Sequence, residues 1–204
     1  IITIDIPKVE YIHDKFLASN DKVRVIKLPK IKEIGHDFFY NNQYISNIKF
    51  PKLICCGEDF LPNIAYIETV DLPKIKEIGK NFLRSATYIN KLSMPSIEKI
   101  GDYFLTFTTK IEELDLSNLK EIGDNFLKNI RSIKKIDLPK VVKIGESFFS
   151  NCYNIEEINL PSLKEIEDYF LYSSIDNIKY IYMPNLSEKS IKLLGLDKDI
   201  RRNR

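Results

Sequence analysis

A repeat of 22 residues runs along the chain and limits its possible folds more than any other feature. Prolines mark the repeat, at Pro7, Pro29, Pro51, Pro73, Pro95, Pro139, Pro161 and Pro184, with Ser117 at the remaining position. Phenylalanine recurs at one offset, as Phe16, Phe38, Phe60, Phe82, Phe104, Phe126, Phe148 and Phe170. A fixed period of this length indicates a solenoid, in which stacked copies bury one continuous core.

Each copy reads I-x-x-I-x-L-P-x-I-x-x-I-G-x-x-F-L. The I-x-L step alternates with the period of a half-buried strand, and the proline ends that strand. A second alternating stretch, such as Lys76-Glu77-Ile78, predicts a second short strand. The glycine that follows predicts a turn with a positive φ. The acidic residue after it, such as Asp102, predicts the N-cap of a short helix that carries Phe-Leu.

Charged residues at two fixed offsets of the repeat support this stacking independently of hydrophobicity, and we call each such set of equivalent positions a column. In successive copies one column reads Glu77, Lys99, Glu121, Lys143 and Glu165, and the preceding column reads Lys76, Glu98 and Lys120. Opposite charges on neighbouring strands attract, whereas like charges repel. The alternation therefore predicts parallel rungs in register, although simple richness in Lys and Glu is an alternative explanation.

The unit resembles the BspA-like subclass of leucine-rich repeats. The resemblance is clear in Ile136-Asp137-Leu138-Pro139-Lys140-Val141 and Ile144-Gly145-Glu146-Ser147-Phe148, and it covers residues 1–195. The A-F-x-x-C signature of that family is replaced by Phe-Leu or Phe-Phe, and only Cys152 keeps the cysteine. The resemblance implies an α/β repeat solenoid, a leucine-rich-repeat right-handed superhelix with a parallel β-sheet on its concave face. It also implies a cell-surface or secreted protein that binds another protein, in adhesion or host interaction.

We expect one solenoid domain of about eight turns over residues 1–195 and a basic tail or linker over 196–204. The last repeat is longer and lacks the glycine, while Ser187 suits an N-cap and Gly195 a C-terminal cap. A helical cap is therefore predicted at about 184–195. The chain opens at Ile1 without a signal segment, which we interpret as part of a larger parent protein.

Outward positions lie four and two residues before each proline, and we call their surface the pre-proline face. The candidate ligand-binding residues on it are Lys27, Lys49, Asp71, Lys91, Glu113, Asp115, Lys135, Asp137, Glu157, Asn159, Tyr180 and Tyr182. These columns vary freely while the inward ones do not, which fits a changeable binding surface as well as plain solvent exposure. Between Asp71 and Glu157 the face is mildly acidic. Tyr180 and Tyr182 predict either an anchor for a partner or a shield for the end of the stack.

The sequence contains no recognisable catalytic residues. His13 and His36 lie on predicted turns, outside any Cys/His cluster with zinc spacing. Cys56 falls in an inward column beside Cys55, and three cysteines do not form a disulfide framework. The glycines occur once per copy and form no phosphate-binding loop. We therefore expect no enzymatic activity, no cofactor and no metal site.

The balance of charge limits the partners. The chain has 31 basic and 29 acidic residues, which gives no overall field for nucleic acid or an anionic membrane. No apolar run approaches the roughly 18 residues of a membrane span. We expect a monomer that binds another protein, with no nucleic acid and no membrane insertion. The alternatives are a structural spacer that displays another domain and a substrate-recruiting arm of a larger enzyme. The rival fold, a carbohydrate-active parallel β-helix, would need a groove of clustered Asp and Arg, which the sequence lacks.

Overall fold

The computed structural model describes residues 2–194, in which successive copies lie on one another as rungs. Every strand pairing is parallel. Lys99, for example, lies opposite both Glu77 and Glu121, one period away on either side. The predicted in-register stack is confirmed. The fold is a parallel β-solenoid of about eight turns with little helix.

The predicted strand before each proline is present in most rungs. These strands are β1 (Ile2–Asp5), β3 (Val23–Lys27), β5 (Asn47–Lys49), β7 (Thr69–Asp71), β9 (Lys91–Ser93), β12 (Lys135–Asp137), β13 (Glu157–Asn159) and β14 (Tyr180–Tyr182). They form three separate sheets, β1-β3, β5-β7-β9 and β12-β13-β14. Residues 111–116 of the intervening rung form no strand, so the second and third sheets are separated there.

The predicted second strand is also present, and it forms a longer sheet. Its strands are β2 (Tyr11–Ile12), β4 (Glu33–Ile34), β6 (Cys55–Cys56), β8 (Glu77–Ile78), β10 (Lys99–Ile100) and β11 (Glu121–Ile122). All six pair in one sheet, and single bridges continue the ladder to Lys143 and Glu165. We call its outward column the pre-glycine face. Two residues per strand suffice because every strand except the edge strand β2 is held by neighbours on both sides.

The repeated phenylalanines form one stack inside the solenoid. Consecutive ring centroids lie 5.2 to 6.1 Å apart, and the ring planes are within 18° of parallel. The rings from Phe38 to Phe148 are fully buried. Offset stacking adds to the hydrophobic gain from burial. The phenylalanines therefore share a single core, as the repeat predicts.

The segment that carries the phenylalanines is a series of turns rather than a helix. In each rung three alternate residues, such as Asp37, Phe39 and Asn41, have positive φ, between 51° and 64° over all rungs. An α-helix cannot contain this alternation. Instead, the N–H of Asp37 donates to the carbonyl of Glu58 at 3.0 Å, and that of Phe39 donates to Phe16 at 3.2 Å. The prediction of a short capped helix is wrong here, because bonds between rungs replace those within a helix.

The acidic residues predicted as helix caps also bond between rungs. Asp102 Oδ1 accepts the N–H of Asp124 at 2.9 Å, and Asp124 Oδ1 accepts the N–H of Glu146 at 2.8 Å. Asp14 accepts the N–H of His36 in the same way, at 2.8 Å. Each carboxylate therefore satisfies a backbone donor of the following copy.

The repeated glycines are required by close approach, and the predicted positive φ is wrong. None of the six has φ in the left-handed region. A Cβ built on Gly79 would lie 2.5 Å from the carbonyl carbon of Gly57 and 2.6 Å from the nitrogen of Glu58. Backbones therefore pack directly at this offset, and the N–H of Gly79 donates to Cys56 at 3.0 Å. Only glycine leaves room for this contact.

The C-terminal end of the described chain is helical. A short 3-10 helix, Ile175–Asn177, precedes β14, and α1 (Glu188–Leu194) follows it. Ser187 Oγ accepts the N–H of Ser190 at 3.3 Å, so Ser187 acts as the N-cap that the sequence predicts. The predicted basic tail, 196–204, lies outside the described residues. Within residues 2–194 no helix has the length and apolar character needed to cross a lipid bilayer.

Candidate functional site

The structure places the twelve candidate residues on the outer surface of the pre-proline strands and of residues 111–116, the rung that forms no strand. Seven are exposed, namely Lys27, Lys49, Lys91, Glu113, Asp115, Lys135 and Asp137. Five are half-buried, namely Asp71, Glu157, Asn159, Tyr180 and Tyr182. The six C-terminal candidates share the sheet β12-β13-β14, whereas Lys27 lies in the separate sheet β1-β3. The pre-proline face is therefore divided among three sheets. Its role in binding stays a prediction.

A groove of about 320 Å³ lies over β12, β13 and β14. It is lined by Lys135, Ile136, Asp137, Glu157, Ile158, Asn159, Tyr180 and Tyr182. Ile136 and Ile158 alternate with the outward residues and are fully buried in the core, so the strand backbone forms the floor of the groove, while the outward polar and aromatic side chains form its walls. All six of the C-terminal candidates thus meet at one concave feature.

Polar contacts hold the walls of this groove. Lys135 Nζ lies 2.9 Å from Glu157 Oε2, and the hydrogen bond to Glu157 raises the pKa of Lys135. Asn159 Nδ2 donates to Asp137 Oδ1 at 2.8 Å. Exposed pairs of this kind add little stability, because water screens them and ordering the side chains costs entropy. They do fix the orientation of the side chains before any partner arrives.

The acidic middle of the face is electrostatically unbalanced. Across residues 2–194, no ion pair reaches Glu113, Asp115 or Asp137. Asp115 and Asp137 occupy the same offset in neighbouring copies, where like charges repel. Asp115 Oδ1 instead accepts the N–H of Ser117 at 3.1 Å. This rung is also the one without a pre-proline strand.

The pre-glycine face, by contrast, neutralises itself. Lys99 Nζ lies 3.1 Å from Glu77 and 3.9 Å from Glu121, and the hydrogen bond to Glu77 raises the pKa of Lys99. In the adjacent column Glu98 lies 3.5 Å from Lys76 and 2.7 Å from Lys120. The predicted charge pairing between rungs is confirmed. These side chains serve the stack and leave little unpaired charge for a ligand.

A column of exposed tyrosines was not recognised from the sequence. Tyr66 and Tyr88 stack with ring centroids 5.7 Å apart. The Arg24 guanidinium lies 3.6 Å from the ring centroid of Tyr44, and Lys110 Nζ lies 4.2 Å from that of Tyr88. The spacing of these tyrosines, one period apart, was the available signal. Because neighbouring rings and cations occupy the ring faces, the column mainly strengthens the stack.

The two histidines lie beside the pre-glycine strands, and two of the three cysteines are buried. His13, His36 and Cys55 line a shallow cavity of about 740 Å³ on the pre-glycine face, and His36 Nδ1 accepts the N–H of Glu58 at 3.1 Å. Burial, with Glu33 and Glu77 nearby, raises the pKa of the Cys55 thiol. Burial also raises the pKa of Cys56, and that of Cys152 to about 12. Among the described residues no group of three or more His, Cys, Asp or Glu is placed to hold a metal ion.

Comparison with known protein families agrees with this architecture. A family model described as "BspA type Leucine rich repeat region (6 copies)" matches residues 10–125 and residues 76–193. The chain belongs to this BspA-type leucine-rich repeat family. Leucine-rich repeat domains are generally protein-binding, and this family is typically non-catalytic. Neither the curated proteins nor the solved structures that were compared gave a match.

Proposed function

We propose that the protein binds another protein through the pre-proline face, with the groove over β12, β13 and β14 at the centre of the contact. The observation that carries this proposal is the meeting of Tyr180, Tyr182, Asp137 and Asn159 around one groove. Tyrosine is enriched where interfaces concentrate their binding energy, because it buries a large area at little entropic cost. The protein-binding character of leucine-rich repeats supports the same assignment.

The contrast between the two outer faces supports the choice of the pre-proline face. Charges on the pre-glycine face pair with one another between rungs, as at Lys99 and Glu77. The pre-proline face also holds ion pairs, such as Lys49–Asp71, but Asp137 has no ion pair among residues 2–194 and lies in the groove with two half-buried tyrosine rings. A surface whose polar groups are not consumed by the fold retains them for a partner.

We further propose that the pre-proline strands line the concave side of a right-handed superhelix. Membership of the leucine-rich repeat family supports this, because leucine-rich solenoids place their parallel strands on the concave side. A crystal structure would test this, and a straight or oppositely curved phenylalanine stack would contradict it.

The double substitution Asp115→Arg/Asp137→Arg is expected to reduce capture of the protein's partners at least about tenfold, because it reverses the charge at the middle of the face. The measurement is quantitative mass spectrometry of proteins retained by immobilised wild type and variant. Glu33→Arg/Glu58→Arg makes the same change in net charge away from this face and should retain the wild-type set. Thermal melts must show that both variants fold. An unchanged set for the Asp115/Asp137 variant would contradict the proposal.

We propose that residues 1–195 act as one domain and that α1 caps its last rung. Ser190 is buried, its Oγ accepts the N–H of Ile166 at 3.2 Å, and Ile191 and Leu194 pack against the core. Removing residues 188–204 should lower the free energy of unfolding by about 2 kcal/mol, because two half-buried apolar side chains are lost.

The matched control for the cap removes only residues 196–204 and should change stability by less than about 0.5 kcal/mol. Urea denaturation followed by circular dichroism measures both. Equal stability of the two truncated chains would show that α1 is not a cap.

The family also suggests where the protein acts. We propose that it is displayed on the cell surface or secreted. Proteolysis of intact cells expressing the full gene with an epitope tag tests this, together with assay of the medium. Tagged protein that is protected in intact cells and absent from the medium would contradict this location.

A further inference from the structure

The charge on the C-terminal half of the pre-proline face is unevenly distributed. Between Glu113 and Glu157 the candidate residues include four carboxylates and one ammonium group, that of Lys135. Glu157 already holds that ammonium at 2.9 Å. Lys179, at the edge of the same sheet, is likewise held by Glu156 at 2.6 Å. These two cations are thus committed within the fold, while Asp115 and Asp137 remain without an ion pair among residues 2–194.

The remaining carboxylate oxygens can accept further hydrogen bonds. Asp137 Oδ1 accepts from Asn159, and Asp115 Oδ1 accepts from the backbone of Ser117, so one oxygen of each remains for a donor. An acidic partner would be repelled by this arrangement. An apolar partner would desolvate the carboxylates without replacing their hydrogen bonds, which is costly. A partner that brings cationic donors compensates best for the loss of water, because charge-assisted hydrogen bonds are stronger than neutral ones.

The aromatic wall of the groove favours the same ligand chemistry. Tyr180 pairs with Glu157 across neighbouring strands, so a phenol ring and a carboxylate lie side by side. A guanidinium group stacks on aromatic faces and bonds carboxylates through its planar donors, and an ammonium group does so less specifically. An arginine side chain would meet both kinds of contact in this groove.

We infer that the pre-proline face recognises a basic segment of its partner protein, with an arginine or lysine seated between Tyr180 and the carboxylates of Asp137 and Glu157. This inference rests on the proposed function, and it adds the chemical class of the partner. Lys134, at the edge of β12, restricts the basic segment to the middle of the face. Binding should therefore weaken with salt, since the charges involved are exposed.

The test is selection of short random peptides, displayed on phage, against the full 204-residue chain. Peptides that bind wild type but not Tyr180→Ala are expected to be enriched in arginine and lysine. Asp115→Asn/Asp137→Asn should weaken their binding about tenfold, whereas Glu33→Gln/Glu58→Gln, with the same change in charge, should leave it unchanged. Fluorescence anisotropy of the labelled peptides measures these affinities, and thermal melts confirm that the variants fold.

The outcomes distinguish a failure of the basic-partner inference from a failure of the proposed protein binding. Face-dependent peptides that contain no excess of basic residues, or that bind the Asn variant equally well, would overturn the basic partner and leave protein binding by this face intact. Selected peptides that all ignore Tyr180 and the two aspartates would overturn both.

Discussion

Replacing Phe104 with alanine is expected to lower the free energy of unfolding by about 3–5 kcal/mol, which for a chain of this size is a fall in melting temperature of about 10 °C. Phe104 is fully buried and stacks on Phe82 at 5.9 Å and on Phe126 at 5.4 Å. The substitution removes both stacking contacts and leaves a cavity in the middle of the solenoid. The backbone cannot close this cavity, because hydrogen bonds fix the rungs on either side.

Phe107→Ala, three residues away in the same rung, is the matched control. The Phe107 side chain is 48% exposed, and alanine at its φ of 64° is no more strained than phenylalanine, so we expect a change below about 0.5 kcal/mol. Chemical denaturation of both variants measures the difference. Similar losses in the two would refute a buried phenylalanine stack.

Substituting Gly79 with alanine is expected to destabilise the protein by about 3 kcal/mol, even though alanine is usually the more stable choice in ordinary backbone conformations. The added methyl group would lie within 2.6 Å of the backbone of Gly57 and Glu58. Alanine restricts the unfolded chain, which favours folding by only about 0.4–1 kcal/mol, so the steric cost dominates. The rungs must separate, and the bond from the N–H of Gly79 to Cys56 lengthens.

His13→Ala is the matched control. His13 occupies the glycine position of the first copy, and no preceding rung packs against it within residues 2–194. A Cβ is already present at His13, so the change should cost less than about 0.5 kcal/mol. Denaturation curves for the two variants can be compared directly. A neutral or stabilising Gly79→Ala would mean that the backbones do not pack as closely as described.

The period alone predicts which residues share a core and which strands are neighbours. Phe82, Phe104 and Phe126 lie at one offset, and stacking at a constant offset places them in one column whatever the backbone path. The same reasoning correctly predicts that Lys99 meets Glu77 and Glu121. Periodicity therefore predicts contacts between copies well.

The backbone path within a copy is harder to predict. The stretch after most of the repeated glycines has an acidic residue followed by Phe-Leu or Phe-Phe, which also suits a capped helical turn. Its observed form depends on hydrogen bonds to neighbouring copies, such as that of Asp37 to Glu58. The sequence predicts a positive φ for the glycine for the same reason. A local pattern does not distinguish turn geometry from close approach to a residue that is distant in the sequence.

For the candidate site, the sequence predicts which residues lie on the outer face, and the structure adds which of them meet. The groove needs β12, β13 and β14 to pair, while the missing strand at residues 111–116 separates it from the rest of the face. Tyr66 and Tyr88 follow the same period. The repeat pattern does not include them, because their offset precedes the strand and lies outside the positions that recur in every copy.

The alternating charges of the pre-glycine face restrict how the array can change length. Losing one copy between Glu77 and Glu121 would place these two glutamates next to each other, whereas losing two copies restores a Glu–Lys pair. Each pair of like charges costs only a few tenths of a kcal/mol, but every loss or gain of an odd number of copies creates such a pair. Duplication and deletion should therefore tend to proceed by even numbers of copies through this region. Relatives that differ here by single copies without a compensating charge change would argue against such a parity rule.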